Sequence, residues 1–273
     1  MYYNVIALNY KECETTLDFI PLLVIAFILE FIDNGFGGGF GTIFSPLLII
    51  LGYDPRVVVP AILMSEMVSG LWGGAWHAKY HNINFKIVGL TLIGSIGAMV
   101  LATYVTGALL PTTLVKQVIG FLAVIMGIFV VAKTYIKKEL TKLMGSKKYK
   151  WWQPSIMGAL IGYQKGTSGG NYGPFSVTGY MVLGLPAAVA IGTTTLAEGI
   201  ACAAGVALYS QITGIVLAVA IPITIGSFIA DPVSAWVNNL MKNKLKPLSH
   251  SRIIGSVMIL VGIVSLLKIF GFI

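Results

Sequence analysis

Two glutamates lie in the middle of long apolar stretches of this sequence, where a carboxyl group is unexpected. Glu66 and Glu198 are separated by 132 residues, and each interrupts a run of small and apolar side chains. Ionisable groups are costly inside a membrane and usually mark a transport pathway or a buried partner. Both glutamates are therefore candidate proton carriers. The alternative is that each is a protonated glutamic acid bonded to a neighbouring backbone group.

Asp33 and Lys165 are a second pair of ionisable residues with the same separation of 132 residues, but their charges are opposite. They could form a charge pair with each other, and otherwise Lys165 could hold an anion. Glu30 and Asp231 are further acids within apolar runs. The sequence thus predicts a small set of buried charges rather than a catalytic constellation.

Glycine-rich stretches follow Asp33 and Lys165, with the sequences GFGGGFGT at 35–42 and GTSGGNYGP at 166–174. A glycine-rich turn that opens a helix presents backbone N–H groups at the positive end of the helix dipole, which favours an anion. The alternative is that these glycines only let helices pack closely. The candidate substrate-binding residues are Gly37, Gly38, Gly39, Lys165, Thr167, Ser168, Gly169, Gly170 and Asn171.

The elements that carry these residues are predicted to be membrane helices. Of the 273 residues, 56% are hydrophobic and 10% are charged, whereas a soluble domain carries about 25% charged residues. Several apolar runs reach the roughly 20 residues that span a bilayer. The predicted fold is an all-α polytopic membrane protein with about ten helical segments. These segments are 17–33, 41–52, 56–77, 85–108, 112–136, 152–165, 173–184, 187–209, 214–236 and 250–271.

A shift of 132 positions aligns the first half with the second, without a gap, over residues 30–76, which predicts an internal duplication of the kind common in transporters. Lysine and arginine concentrate in the loops around 77–86, 133–150 and 238–252, which are predicted to be cytoplasmic. Each half then has five segments, an odd number, so the two repeats are predicted to be inverted. The alternative is that the first two segments, 17–33 and 41–52, form a re-entrant hairpin that is followed by three spans. Inversion would bring the two glycine-rich breaks together near the membrane midplane.

This topology predicts a multi-pass protein of the plasma membrane with both termini outside. The parts are an extracytoplasmic tail (1–16), a first transmembrane repeat (17–136), a basic cytoplasmic linker (137–151) and a second transmembrane repeat (152–273).

Other classes of function find little support in the sequence. The net charge of +8 comes from loop residues, so lipid head groups explain it and a nucleic-acid partner is not expected. Cys13, Cys202 and three scattered histidines do not have the spacing of a metal site. The GFGGGFG run does not follow a predicted strand, so no dinucleotide is expected. We therefore expect no metal, no cofactor and no enzymatic activity.

Residues 35–77, GFGGGFGTIFSPLLIILGYDPRVVVPAILMSEMVSGLWGGAWH, resemble the first-half signature of the sulfite exporter TauE/SafE family, also called the toluene-sulfonate uptake permease family. The signature is a glycine-rich turn, a proline, a short apolar helix, a G-x-x-P turn and a long helix. Its features fall on Gly37, Gly38, Gly39 and Pro46. The second half departs from the family pattern, with SGGNYGP where members often carry a further glycine run. The resemblance implies a membrane transporter of sulfur-containing anions.

The sequence therefore favours a secondary transporter of a small sulfur oxyanion or organosulfonate, of the sulfite, thiosulfate, sulfonate or sulfoacetate type. Protons carried by Glu66 or Glu198 would drive it by alternating access. Its partners would be the anion, protons and the lipid bilayer, and it could form a homo-oligomer. The alternatives are a cation carrier or channel that uses the intramembrane carboxylates, and a polytopic membrane protein that transports nothing.

Overall fold

The computed structural model describes residues 19–135, 149–170, 172–241 and 251–273, and within them all regular structure is helical. The prediction of an all-α fold is confirmed, with ten α-helices in the described ranges. The predicted tail 1–16, residues 137–148 of the predicted linker, Cys13 and Asn171 lie outside those ranges. The helices are α1 (Phe19–Phe36), α2 (Phe40–Ile50), α3 (Pro55–Lys79), α4 (Phe85–Tyr104), α5 (Thr112–Tyr135), α6 (Trp152–Ser168), α7 (Tyr172–Val182), α8 (Ala187–Ile212), α9 (Leu217–Leu240) and α10 (Ser251–Ile269).

Seven of these helices are long and apolar enough to cross a membrane, namely α1, α3, α4 with its π-helical extension, α5, α8, α9 and α10. The two helices that follow the glycine-rich breaks, α2 and α7, have only 11 residues each. Eleven helical residues extend about 17 Å, which is well short of the roughly 30 Å hydrocarbon core of a bilayer. Each half therefore combines longer helices with one short helix, α2 or α7, that cannot cross the bilayer alone.

The outer surface of the bundle is apolar and its interior contains many polar groups. Large side chains such as Ile93, Phe121 and Leu260 are exposed, whereas hydroxyl, amide and carboxyl groups are buried. This distribution suits a protein surrounded by lipid, where the exterior meets hydrocarbon and polar groups must find partners inside.

Helices of the two halves pack against each other in four main pairs: α1 with α9, α4 with α6, α3 with α8, and α5 with α10. The last two pairs each join helices that the 132-residue shift relates. The 132-residue shift exchanges the first two pairs. A Cβ atom at Gly94 would overlap the carbonyl oxygen of Ser155, and one at Gly226 would overlap that of Leu23. These two contacts are also exchanged by the shift, so the packing follows the sequence repeat.

The last helices of the two halves, α5 and α10, run antiparallel. Gly120 faces Gly262, and Gly127, further along α5, faces Gly255, which comes earlier in α10. An inverted repeat requires equivalent helices to run in opposite directions. These contacts support the inversion of the two halves, which stays a prediction.

Candidate functional site

The two glycine-rich breaks are in direct contact at the centre of the bundle. A Cβ atom at Gly41 would overlap the carbonyl oxygen of Gly169, so the α2 backbone lies against the second break. The Ser45 hydroxyl, on α2, donates a hydrogen bond to the carbonyl of Ser168 at 2.6 Å. Gly39 has a φ of 88°, in the left-handed region that glycine tolerates best, where α2 begins. The sequence correctly indicated that the two breaks would meet.

At the first break, the positive N-terminus of α2 is capped by Asp33, a residue of the same half. The Asp33 carboxylate accepts hydrogen bonds from the N–H groups of Gly39 at 2.7 Å and Phe40 at 2.9 Å. The Gly37 N–H donates to the Asp33 carbonyl at 2.6 Å. Asp33 therefore acts as the anion at the positive end of α2. In this conformation the N–H groups of Gly37 and Gly39 are bonded to Asp33, and their role in holding a substrate anion stays a prediction.

Lys165 lies between the two repeat-related glutamates. Its Nζ forms an ion pair with Glu66 and a second one with Glu198 Oε1 at 2.7 Å. Only 1% of the Lys165 surface is exposed. Lys165 is thus paired with Glu66 and Glu198, and the Asp33 carboxylate is bonded to the N-terminus of α2, so the Asp33–Lys165 charge pair that the sequence left open is not the arrangement in this conformation. One ammonium is shared by two carboxyl groups, an arrangement that stays stable in a dry interior only if its charges are closely matched.

A polar cluster beside this ion set is organised by Asn34, on α1. Asn34 Nδ2 donates to Glu30 Oε1 at 3.0 Å and also to Asp231 Oδ1. Its Oδ1 accepts from the Thr195 hydroxyl at 2.6 Å, and the Ser69 hydroxyl donates to Glu30 Oε1 at 3.2 Å. The amide thus links α1 to α8 and α9. Glu30 and Asp231 stand out in the sequence as acids within apolar runs, whereas Asn34 does not, because an uncharged amide leaves almost no signal in a hydropathy pattern.

A small cavity of about 10 Å³ lies between the two breaks, α3 and α8. This volume is close to the least that holds one water molecule. Four carboxyl groups line it, those of Glu30, Asp33, Glu66 and Glu198, together with hydroxyl groups and backbone. In this structure the space between the breaks is therefore too small for an anion larger than water, and its lining is acidic.

The remaining candidate residues lie along the second break without reaching the cavity. The hydroxyls of Thr167 and Ser168 donate to carbonyls one turn earlier in α6, at 2.9 and 2.8 Å. The N–H of Gly170 donates to the Ser168 hydroxyl at 3.2 Å. Of the first-half glycines, Gly37 lines the cavity. Within the described ranges, no group of three or more His, Cys, Asp or Glu side chains is arranged to hold a metal ion.

The described part of the chain has ten α-helices with an apolar exterior, and two helix breaks meet beside a set of buried charges. These features define a polytopic membrane protein with the central architecture of a transporter. The model of the sulfite exporter TauE/SafE family matches residues 22–265, so the chain belongs to this family of membrane transporters.

Two proteins of Bacillus subtilis (strain 168) are similar to this chain. The probable membrane transporter protein YtnM is 27% identical over 253 residues, which cover 88% of this chain and 81% of YtnM. The probable membrane transporter protein YjnA is 27% identical over 168 residues, which cover 58% of this chain and 65% of YjnA. No solved structure matches the chain. The family suggested by residues 35–77 is thereby confirmed over nearly the whole sequence.

Proposed function

We propose that this protein carries small sulfur-containing anions, of the sulfite, thiosulfate, sulfonate or sulfoacetate type, across the plasma membrane together with protons. It does so by alternating access, with both termini on the outer side. The family supports an anion as substrate. The observation that carries the proposal is the buried Lys165 ammonium, held between Glu66 and Glu198 where the two helix breaks meet.

Coupling follows from competition for Lys165. A buried ammonium needs a compensating negative charge, and in this conformation the two glutamates supply it. When both glutamates take up protons, Lys165 loses its partners and a substrate anion can replace them. When the anion leaves, Lys165 returns to the glutamates, and one of them releases its proton and balances the ammonium. Proton binding and anion binding therefore strengthen each other, as linkage requires.

The anion would enter after the two breaks separate, because the closed cavity of about 10 Å³ has room for about one water molecule. Lys165 then faces the widened space together with the second break, where Thr167, Ser168 and Gly170 carry hydrogen-bond donors. Gly37, Gly38 and Gly39 would form the opposite wall. Gly169 and Asn171 complete the proposed substrate-binding residues on the second break.

A cation carrier is the second candidate function, and one observation favours it. All four ionisable side chains that line the cavity are acidic, while Lys165 is engaged by two of them. If the glutamates stay ionised throughout the cycle, the centre would attract a cation and repel an anion. The sign of the transported charge separates the two candidates.

The test is transport by the purified protein in proteoliposomes, measured with ³⁵S-labelled sulfite, thiosulfate and sulfoacetate under an imposed pH gradient. The anion proposal expects flux that the gradient drives and that Lys165→Met abolishes. It expects Glu66→Gln and Glu198→Gln to weaken the response to the gradient. The exposed Lys86→Met is the matched control and should transport like the wild type.

Two results would contradict the proposal in different ways. Unchanged pH-driven flux in both glutamine variants would remove the glutamates from coupling. Unchanged anion affinity in Lys165→Met would remove Lys165 from the site. Gradient-driven flux of cations, with none of the three anions, would establish the cation carrier instead.

A further inference from the structure

A second buried lysine, Lys133, lies outside the central cluster, in the last turn of α5. It is 6% exposed, and its Nζ donates a hydrogen bond to the Thr178 hydroxyl at 3.2 Å. That hydroxyl donates in turn to the carbonyl of Pro174 at 2.8 Å, so it can accept from Lys133. Among the residues that the structure describes, no carboxylate forms an ion pair with Lys133. An ammonium in this position therefore has no counter-ion among the described residues, which is costly in an apolar environment.

Lys133 lines a cavity of about 410 Å³ between α5, α6 and α7. The walls are mainly apolar and include the rings of Phe129 and Phe175, whose centroids are 5.6 Å apart, together with Trp152 and Ile156. Trp152 and Ile156 are 42% and 54% exposed, so the cavity opens to the surface of the bundle. An open apolar cavity, with one cation that has no counter-ion among the described residues, suits a ligand with an anionic head and an apolar body.

The cavity lies where helix ends approach the predicted cytoplasmic surface. Lys133 is two residues from the end of α5, and Trp152 is the first residue of α6. Tryptophan is enriched at the level of the lipid head groups. A second cation, Arg252 at the start of α10, donates a hydrogen bond to the Thr134 hydroxyl at 3.1 Å and stacks over the Tyr135 ring at the end of α5. Anionic groups from the inner leaflet would meet positive charge here.

We propose that this cavity binds an anionic phospholipid of the cytoplasmic leaflet, with its phosphate on Lys133 and part of an acyl chain against the apolar walls. Basic pockets between membrane helices at this depth have the chemistry that anionic lipid head groups require. The phosphate would supply the missing counter-charge, and the apolar walls would be covered by the chain. The proposal depends on the position of the cavity in the membrane and not on the transported substrate.

The experiment is native mass spectrometry of the full chain, purified in a neutral detergent and mixed with phosphatidylglycerol or phosphatidylcholine. The wild type should retain phosphatidylglycerol in preference to phosphatidylcholine. Lys133→Met should lower that preference about tenfold, the factor that one hydrogen bond to a charged group contributes. Lys133→Arg should keep the preference, and so should Lys150→Met, which removes an exposed lysine near the same end of α6.

A second variant keeps Lys133 and fills the cavity instead. Ile156→Trp should weaken phosphatidylglycerol binding although the charge is unchanged, and gel filtration checks that each variant remains folded. Equal retention of the two lipids by the wild type, or an unchanged preference in both Lys133→Met and Ile156→Trp, would overturn the proposal. Octanesulfonate, a free amphipathic anion, is tested as the alternative ligand. Binding of octanesulfonate that Lys133→Met abolishes, without binding of phosphatidylglycerol, would assign the cavity to a free amphipathic anion and overturn the proposal.

Discussion

Removing the shared ammonium should destabilise the protein strongly, because two buried carboxyl groups depend on it. Glu66 and Glu198 are only 3% and 7% exposed, and Lys165→Met would leave them facing each other without a cation. Breaking a buried ion pair by deleting one partner costs about 3–5 kcal/mol. We expect about 3 kcal/mol at pH 8, at the low end, because the carboxyl groups can take up protons in response.

Neutralising the whole set should restore most of that loss. In the triple variant Lys165→Met, Glu66→Gln, Glu198→Gln, no charge remains to be compensated, and replacing a complete buried ion set is often neutral for stability. The substitutions should therefore be far from additive, with a coupling free energy of about 1–3 kcal/mol, as for residues in one network. An exposed control, Lys86→Met, should leave the unfolding free energy unchanged.

The assay is unfolding by sodium dodecyl sulfate in mixed micelles, followed by tryptophan fluorescence, at pH 8 and pH 5. The sign of the pH effect is part of the prediction. Lowering the pH neutralises carboxylates, so the deficit of Lys165→Met relative to the wild type should shrink at pH 5. In the triple variant, which has neither the lysine nor the two glutamates, the pH should have little effect through this site.

Two results would refute this reasoning. If Lys165→Met unfolds like the wild type at pH 8, the ion set contributes nothing to the stability of the fold. If the triple variant is no more stable than Lys165→Met, Lys165 acts through its packing rather than through its charge.

Three further predictions concern the surroundings of the ion set. Gly41→Ala forces a Cβ atom against the carbonyl of Gly169 and should lower the unfolding free energy by about 1–3 kcal/mol. The control Gly97→Ala, where the added Cβ atom would meet no neighbouring group within 4 Å, should be neutral or stabilising. Equal melting temperatures of the two variants would contradict the contact between Gly41 and Gly169. Asp33→Asn weakens the acceptor of the two N–H groups that open α2 and should cost about 1 kcal/mol, and stability at or above wild type would show that this cap is dispensable. Asn34→Ala leaves the buried acids Glu30 and Asp231 without their hydrogen-bond donor and should lower the unfolding free energy by about 1–3 kcal/mol. The melting curve of Asn34→Gln is the control for side-chain polarity. A loss of stability in Asn34→Gln but not in Asn34→Ala would refute the hydrogen-bonding role.

The helices and their breaks were predictable because they follow from local composition. Apolar runs of about 20 residues, together with glycine clusters at 35–41 and 166–173, mark where helices span and where they stop. The 132-residue shift predicted that the two breaks would be related, and their contact at Gly41 and Gly169 agrees with it. These features need only the order of residues along the chain.

The partners of the charged residues were not predictable in the same way. Spacing fixes the position of Lys165 along α6, but the rotation of α6 about its axis decides whether the side chain faces Asp33 or the two glutamates. Asp33 lies six residues before Gly39, and it reaches the N–H groups of α2 only because the turn between the helices is so short. Both outcomes depend on tertiary packing, to which hydropathy is insensitive.

The asymmetry between Asp33 and Lys165 has a consequence for the number of protons in the proposed cycle. With both glutamates ionised, the set of Lys165, Glu66 and Glu198 carries a net charge of −1, and one proton makes it neutral. A second proton makes it +1, which a monovalent anion neutralises. A lysine in both halves would match the two glutamates without any proton, and an aspartate in both would leave no cation for the anion. With one lysine and two glutamates, the set is neutral after one proton, and a monovalent anion is neutralised by a second proton. The Asp33 side chain is kept out of that balance because it caps α2. Under the proposal, a monovalent anion would therefore enter a neutral resting site together with one proton.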